Sequence, residues 1–171
     1  LAFLADTFIK SANKLKKIHP EIQFCISQAS NLSDGVFNKY VKNTEFKVIK
    51  GENHALLSVS DSLILASGTV ALEAALYKTP FIVGYKGPWL LYLVYLLVRC
   101  IKRVSLPNII TNKDIIPELI QAKFNVSNIV YETEKLLYDK ESRQSMIDQL
   151  DNLSDKYSAQ EVANFIVDKF R

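Results

Sequence analysis

The apolar positions of the chain fall into short continuous runs, separated by stretches of mixed polarity. A short apolar run bounded by turn-forming residues is typical of a strand that is covered on both faces of a parallel sheet. Four such strands are predicted, over residues 22–26, 46–49, 63–66 and 81–85. Helical segments lie between them, and strands that alternate with helices are joined by right-handed crossovers. The pattern therefore predicts an α/β fold in which helices flank a parallel sheet.

The helices are predicted from apolar residues that recur on one face at helical spacing. They cover residues 1–17, 36–41, 54–58, 70–76, 126–137, 140–157 and 158–170. A further helix is expected after the loop that starts at Asn112, with Pro117 in its first turn, where the missing N–H of proline costs little. Pro107 should prevent a regular central strand around residues 104–110.

Residues 62–76 are predicted to form a buried strand, a short turn and a helix. Ser67 and Thr69 are residue types that cap helices, and Gly68 allows a sharp turn between them. The first N–H groups of a helix lack intrahelical partners and lie at the positive end of the helix dipole. A phosphate or diphosphate can therefore bind at such a turn without a lysine or arginine.

Glu73 suggests that the ligand also contains a sugar. It follows Thr69 by four residues, so both lie on one helix face. A carboxylate one turn away from a diphosphate can accept hydrogen bonds from ribose hydroxyls, which indicates a nucleotide. The alternative is that the turn is only a capped helix start and that Glu73 faces water, because such turns are common in α/β domains. The local pattern leaves both interpretations open.

Three other side chains are candidate ligands or catalytic groups. His54 and Lys86 follow predicted strands at their carboxyl ends, where parallel sheets bind their ligands. Solvated surface side chains are the alternative for both. His19 precedes Pro20 at a helix end and is expected on the surface.

Residues 89–98 are apolar on all sides. A segment of this length is too short to span a bilayer as a helix, which takes about 20 residues. One interpretation is a buried or docking helix. The other is a helix at a membrane interface, with Trp89, Tyr92 and Tyr95 at headgroup level and basic residues beyond it.

Bulk composition narrows the function only slightly. The chain has 171 residues and a net charge of +3, which indicates one domain and does not point to nucleic acid. No cysteine–histidine spacing indicates zinc. The chain begins with Leu1, in what looks like the middle of a helix, so a fragment is expected.

Residues 66–73, Ala-Ser-Gly-Thr-Val-Ala-Leu-Glu, resemble the hallmark segment of lipid-A-disaccharide synthases, the bacterial enzymes of lipid A assembly. A second block, Tyr85 followed by Val-Ser-Leu-Pro-Asn at residues 104–108, is similar to the same family at a similar distance. The resemblance runs over the whole chain but covers only the second half of the family's usual length. It implies that residues 1–171 are the C-terminal, nucleotide-sugar-binding domain of a GT-B glycosyltransferase. That domain is a Rossmann-like parallel sheet flanked by helices, here lacking its first strand.

The resemblance also implies a reaction. The donor is UDP-2,3-diacylglucosamine, the acceptor is 2,3-diacylglucosamine 1-phosphate, and the sugar is transferred with inversion, without a cofactor or metal. Carried over by position, the substrate-binding residues are Ser67, Gly68, Thr69, Glu73, Tyr85 and Asn108. The first three would meet the diphosphate, Glu73 the ribose and Asn108 the donor region. A turn-forming asparagine after proline is the alternative for Asn108.

The sequence departs from the family in what it lacks. The Gly-Ser-Arg phosphate loop and the first strand are absent, as is the N-terminal domain that holds the acceptor and the expected general base. The isolated chain is therefore expected to be inactive. The resemblance implies a cytoplasmic enzyme, peripheral on the inner membrane, and leaves a homodimer open. The alternatives are another GT-B enzyme, of the UDP-N-acetylglucosamine 2-epimerase or peptidoglycan transferase type, and a non-enzymatic nucleotide-binding module.

Overall fold

Strands and helices alternate along the chain, as the hydrophobic pattern predicts. The computed structural model describes residues 2–29, 32–42, 44–87 and 103–156. The strands in these ranges are β1 Cys25–Gln28, β2 Lys47–Lys50, β3 Leu63–Ala66, β4 Phe81–Tyr85 and β5 Glu118–Ile120. The helices are α1 Ala2–Ile18, α2 Asp34–Val41, α3 Asn53–Val59, α4 Val70–Leu76, α5 Leu106–Thr111, α6 Val126–Tyr138 and α7 Lys140–Lys156, with a 3-10 turn at Gln121–Lys123.

The paired strands of the described chain are all parallel, which confirms the predicted fold class. β1 and β2 form a two-stranded sheet, and β3, β4 and β5 form a three-stranded sheet in that order. In the three-stranded sheet Ala66 lies opposite Gly84, and Val83 lies opposite Glu118. Because the strands are parallel, the carboxyl ends of β3, β4 and β5 share one edge of the sheet. This edge is where open α/β sheets bind their ligands.

The hydrophobic core lies on both faces of β4. Residues Phe81 to Val83 are at most 1% exposed, which is expected for a central strand between helices. α4 packs close to this core with small side chains, and α6 and α7 contribute larger ones. These core residues are Ala71, Ala74, Ala75, Ile129, Leu136, Met146 and Leu150. α1 packs along α6, and its Leu4 and Phe8 are partly buried against the same cluster.

Gly84 allows a close contact at the carboxyl end of β4. A Cβ atom at this position would lie 2.3 Å from Cε2 of Phe124 and 3.0 Å from Cζ of Phe8. The two phenylalanine rings meet edge to face, with centroids 5.1 Å apart. The absence of a side chain on Gly84 therefore lets α1 and the segment after β5 pack directly on the strand.

The prediction of a helix with Pro117 in its first turn is wrong. Residues Glu118 to Ile120 form β5 instead, paired with β4. Proline at a first helical turn and proline just before a short strand give the same local signal, and the pairing partner decides between them. The expectation that Pro107 excludes a strand is confirmed, because Pro107 lies in the first turn of α5.

Two predicted segments, residues 89–98 and 158–170, lie outside the described residues. Within the described ranges, none of the helices is both long enough and apolar enough to cross a membrane.

Candidate functional site

The turn after β3 lies at the carboxyl edge of the sheet and is tied to two other segments. The N–H of Ser67 donates to the carbonyl of Gly84 at 3.1 Å, which extends the β3–β4 pairing by one residue. The Ser67 hydroxyl, predicted as a cap or phosphate contact, donates instead to the carbonyl of Val104 at 2.9 Å. The sequence-predicted turn and the second sequence block are therefore in direct contact.

Thr69 occupies the N-cap position of α4, but its side chain makes no capping hydrogen bond. The first hydrogen bonds of the helix run from the N–H of Ala71 to Gly68 and from the N–H of Leu72 to Thr69. Within the described residues, the N–H groups of Gly68, Thr69 and Val70 have no hydrogen-bond partner. These donors sit on an exposed turn, where an anion could accept from them.

Gly68 leaves the space in front of this turn open. Among the described residues, a Cβ atom built at Gly68 meets no atom within 4 Å, and the φ angle of Gly68 lies outside the left-handed region. The sharp turn that Gly68 was expected to allow is therefore made without a positive φ. Because Gly68 has no side chain, a ligand could approach the backbone of the turn closely.

Glu73 is half-buried in the first turn of α4. Within the described residues its carboxylate has neither a hydrogen bond nor an ion pair. It lies on the same helix face as Thr69, one turn further on, as predicted. The carboxylate is thus available to a ligand, although its contact with a ribose stays a prediction.

Asn108 is 1% exposed and fully engaged inside the protein. Its side-chain amide donates to the carbonyl of Ile116 at 2.9 Å, and its amide oxygen accepts from the N–H of Ile116 at 2.9 Å. The amide also donates to a carboxylate oxygen of Glu118 at 2.9 Å. The structure therefore places this side chain behind the site, where it joins α5 to β5, and its expected contact with the donor stays a prediction.

Glu118 is the residue at this site that the sequence interpretation missed. One of its oxygens accepts from the N–H of Val104 at 2.9 Å. The other accepts from the N–H and the hydroxyl of Ser105, at 2.9 and 2.6 Å, and from Asn108. A charged residue inside the apolar run at residues 115–120 was the only sequence signal for it.

Tyr85 and Lys86 follow at the end of β4, on the same edge as Ser67. Tyr85 is 39% exposed, and its ring folds toward the backbone of Gly87. The carbonyl of Gly87 accepts from the side chain of Gln121 at 3.3 Å, which links the ends of β4 and β5. Lys86 is exposed.

The two histidines lie elsewhere. His54 is exposed on α3. His19 is within 2.8 Å of Glu134 through Nε2 and stacks on the ring of Tyr138 at a centroid distance of 4.5 Å. The Tyr138 hydroxyl donates to Glu21 at 2.6 Å, and this bond raises the pKa of Tyr138 to about 12 and lowers that of Glu21. These contacts fasten the end of α1 to α6, a structural role.

One cleft of the described residues does not include this turn in its lining. Its volume is about 980 Å³, and it is lined by β5, α6 and α7. Lys123, Lys135, Glu132 and Glu141 all line it, so it presents both signs of charge rather than a field that favours a diphosphate. Among the described residues no cluster of histidine, cysteine and carboxylate side chains could hold a metal ion.

Parallel strands, flanking helices and a strand-to-helix turn at the carboxyl edge define a Rossmann-like α/β domain, of the kind that forms the C-terminal domain of GT-B glycosyltransferases. A family model described as lipid-A-disaccharide synthetase matches residues 1–167. The chain belongs to this family.

Individual relatives agree with the family match. The lipid-A-disaccharide synthase of Anaeromyxobacter dehalogenans is 31% identical over 147 residues, which cover 84% of this chain and 38% of that protein. The synthase of Idiomarina loihiensis is 31% identical over 176 residues, covering 99% and 46%. That of Glaesserella parasuis is 36% identical over 133 residues, covering 74% and 34%. The chain thus spans less than half the length of these curated relatives.

Proposed function

We propose that the chain is the nucleotide-sugar-binding part of a lipid-A-disaccharide synthase. The whole enzyme would transfer 2,3-diacylglucosamine from UDP-2,3-diacylglucosamine to 2,3-diacylglucosamine 1-phosphate, releasing UDP. The observation that carries this proposal is the family match over residues 1–167. The exposed turn after β3, with its unpartnered N–H groups, supports it. The match also favours this family over the epimerase and peptidoglycan transferase alternatives.

The proposed chemistry is one displacement at the anomeric carbon of the donor. The acceptor's 6-hydroxyl oxygen bonds to that carbon while the bond to the diphosphate oxygen breaks, and the configuration inverts. The hydroxyl proton passes to a general base, and negative charge develops on the departing diphosphate. The N–H groups of Gly68, Thr69 and Val70 would stabilise this charge, because fixed donors cost no reorganisation during the reaction.

The remaining roles follow from position. Glu73 would accept hydrogen bonds from the ribose, and Tyr85 would contact the donor from the end of β4. The general base and the acceptor site would come from the rest of the synthase, since the curated relatives are more than twice as long as the matched part. The isolated chain would then bind UDP but not turn over.

The test is a calorimetric titration of UDP into the wild-type chain and into Glu73→Ala. Loss of a hydrogen bond to a charged group costs about 1.5–3 kcal/mol, so binding should weaken by roughly 10- to 150-fold. Glu141→Ala is the matched control, because Glu141 is an exposed carboxylate on α7, away from the turn. The same titration on the complete synthase polypeptide guards against a site that needs the other domain. Absence of UDP binding in both proteins would refute the donor-site assignment.

A membrane surface is the further partner that we propose, because both sugars carry acyl chains. Trp89 is the only tryptophan of the chain, so tryptophan emission reports on the surroundings of this one residue of the segment 89–98. Vesicles containing anionic lipid should shift its emission to shorter wavelength if this segment enters the interface. An unchanged spectrum would favour the docking-helix interpretation.

A further inference from the structure

We propose that Glu118 is a positioning residue of the candidate donor site. Its carboxylate holds residues 104–108 in place, and these residues in turn hold the turn at Ser67. The part that concerns nucleotide binding rests on the proposed function, whereas the part that concerns the turn does not.

The first argument is the number of donors that converge on this carboxylate. It accepts four hydrogen bonds from three residues, at 2.6 to 2.9 Å. Two of the donors are the consecutive backbone N–H groups of Val104 and Ser105. Hydrogen bonds to an ionised acceptor are stronger than neutral ones, so this group dominates the local geometry.

The second argument is where Glu118 is anchored. It lies on β5 opposite Val83 of the central strand, so its backbone is fixed by the sheet. The donors, in contrast, belong to a connecting segment and to the start of α5. The acceptor, Glu118, is held by the sheet, whereas its donors are not part of the sheet. We therefore infer that the sheet sets the position of residues 104–108 through Glu118.

The third argument is the link to the turn. Val104 donates to Glu118 through its N–H and accepts from the Ser67 hydroxyl through its carbonyl. A single residue thus connects the carboxylate with the turn whose N–H groups are unpartnered. Asn108 reinforces the arrangement by bonding both Glu118 and the backbone of Ile116.

Glu118→Gln tests this inference with little change of volume. A glutamine has one acceptor oxygen, so its NH₂ group would face an N–H donor and at least one of the four bonds would be lost. The control is Thr133→Val, which removes a buried hydroxyl that donates to the carbonyl of Ile129 within α6. Both variants should lower the melting temperature, but they differ in distance from the turn.

The ligand-independent readout is amide hydrogen exchange of Ser67, Ala71 and Leu72 in the 171-residue chain, because the N–H groups of these residues are hydrogen-bonded at the turn and are therefore protected. Glu118→Gln should speed this exchange, whereas Thr133→Val should leave it unchanged. Ser67→Ala should have the same effect as Glu118→Gln, and the double variant should add little. Equal exchange in wild type and Glu118→Gln would overturn the positioning role.

The ligand readout is the Kd for UDP at a temperature at which all variants are folded. Glu118→Gln should raise Kd by roughly tenfold, the equivalent of one net hydrogen bond to an ionised group, while Thr133→Val keeps the wild-type value. An unchanged Kd in Glu118→Gln would overturn the role in binding. The two proposals can also fail separately. If neither the wild-type chain nor the complete synthase binds UDP, but Glu118→Gln still speeds amide exchange at the turn, the proposed function is overturned and the positioning role is supported.

Discussion

Replacing Gly84 by alanine would place a methyl group against the ring of Phe124. The new Cβ would lie 2.3 and 2.7 Å from two ring carbons, well inside their contact distance. Phe124 is 2% exposed and meets Phe8 edge to face, so its ring is confined by neighbouring groups. The strand, the ring or α1 must therefore shift.

The size of the effect follows from two opposing contributions. Overpacking a well-filled core costs about 1–3 kcal/mol, and a clash this close belongs at the upper end. Losing the flexibility of glycine in the unfolded chain returns about 0.4–1 kcal/mol. A net loss of about 2 kcal/mol corresponds to a melting temperature lowered by roughly 4–8 °C for a chain of this size.

The assay is thermal and urea unfolding followed by circular dichroism. Gly68→Ala is the matched control, because a Cβ there meets no atom within 4 Å and no positive φ is involved. Combining Gly84→Ala with Phe124→Leu should cost less than the sum of the single changes, since the second change relieves the first. A Gly84→Ala protein as stable as wild type would refute the packing argument.

Two further predictions concern groups away from this contact. The pKa of Tyr138 is raised in the folded protein from 10.0 to about 12. The protonated hydroxyl therefore contributes to the stability of the fold below pH 10.0, and this stabilisation is lost as the pH rises toward 12. The melting temperature of Tyr138→Phe should therefore change less between pH 10 and 12 than that of the wild type. If the two proteins lose stability equally over this pH range, the assigned role of Tyr138 is contradicted. Asn108→Ala should lower the free energy of urea unfolding by about 2–3 kcal/mol, because it leaves the N–H and carbonyl of Ile116 buried without partners. Full stability of that variant would show that water replaces the amide.

The apolar pattern predicted two strands of the three-stranded sheet, β3 and β4, correctly. β3 and β4 have the predicted bounds, because a continuous apolar run has few alternatives between two helices. β1 starts at Cys25 rather than at residue 22, since its ladder includes the polar Ser27 and Gln28. β5 was mistaken for a helix because three residues carry too little periodicity, and its conformation depends on β4.

The site was predicted as a local turn but not as an assembly. The turn at Ser67 and the helix after it follow from neighbouring residues. The partner of the Ser67 hydroxyl lies 37 positions further along the chain, and no local pattern can specify it. The burial of Asn108 and the role of Glu118 likewise depend on contacts between separate elements.

The strands differ in burial, and this difference affects where local unfolding starts. Within the described residues, β1 pairs with β2, and neither of these strands pairs with β3, β4 or β5. β1 and β2 are also more exposed than β4, and Val48 is 39% exposed. The turn at Ser67 is joined to the central strand, because the N–H of Ser67 bonds to the carbonyl of Gly84 on β4. Since β4 is almost fully buried, the turn belongs to a part of the chain that we expect to resist local unfolding.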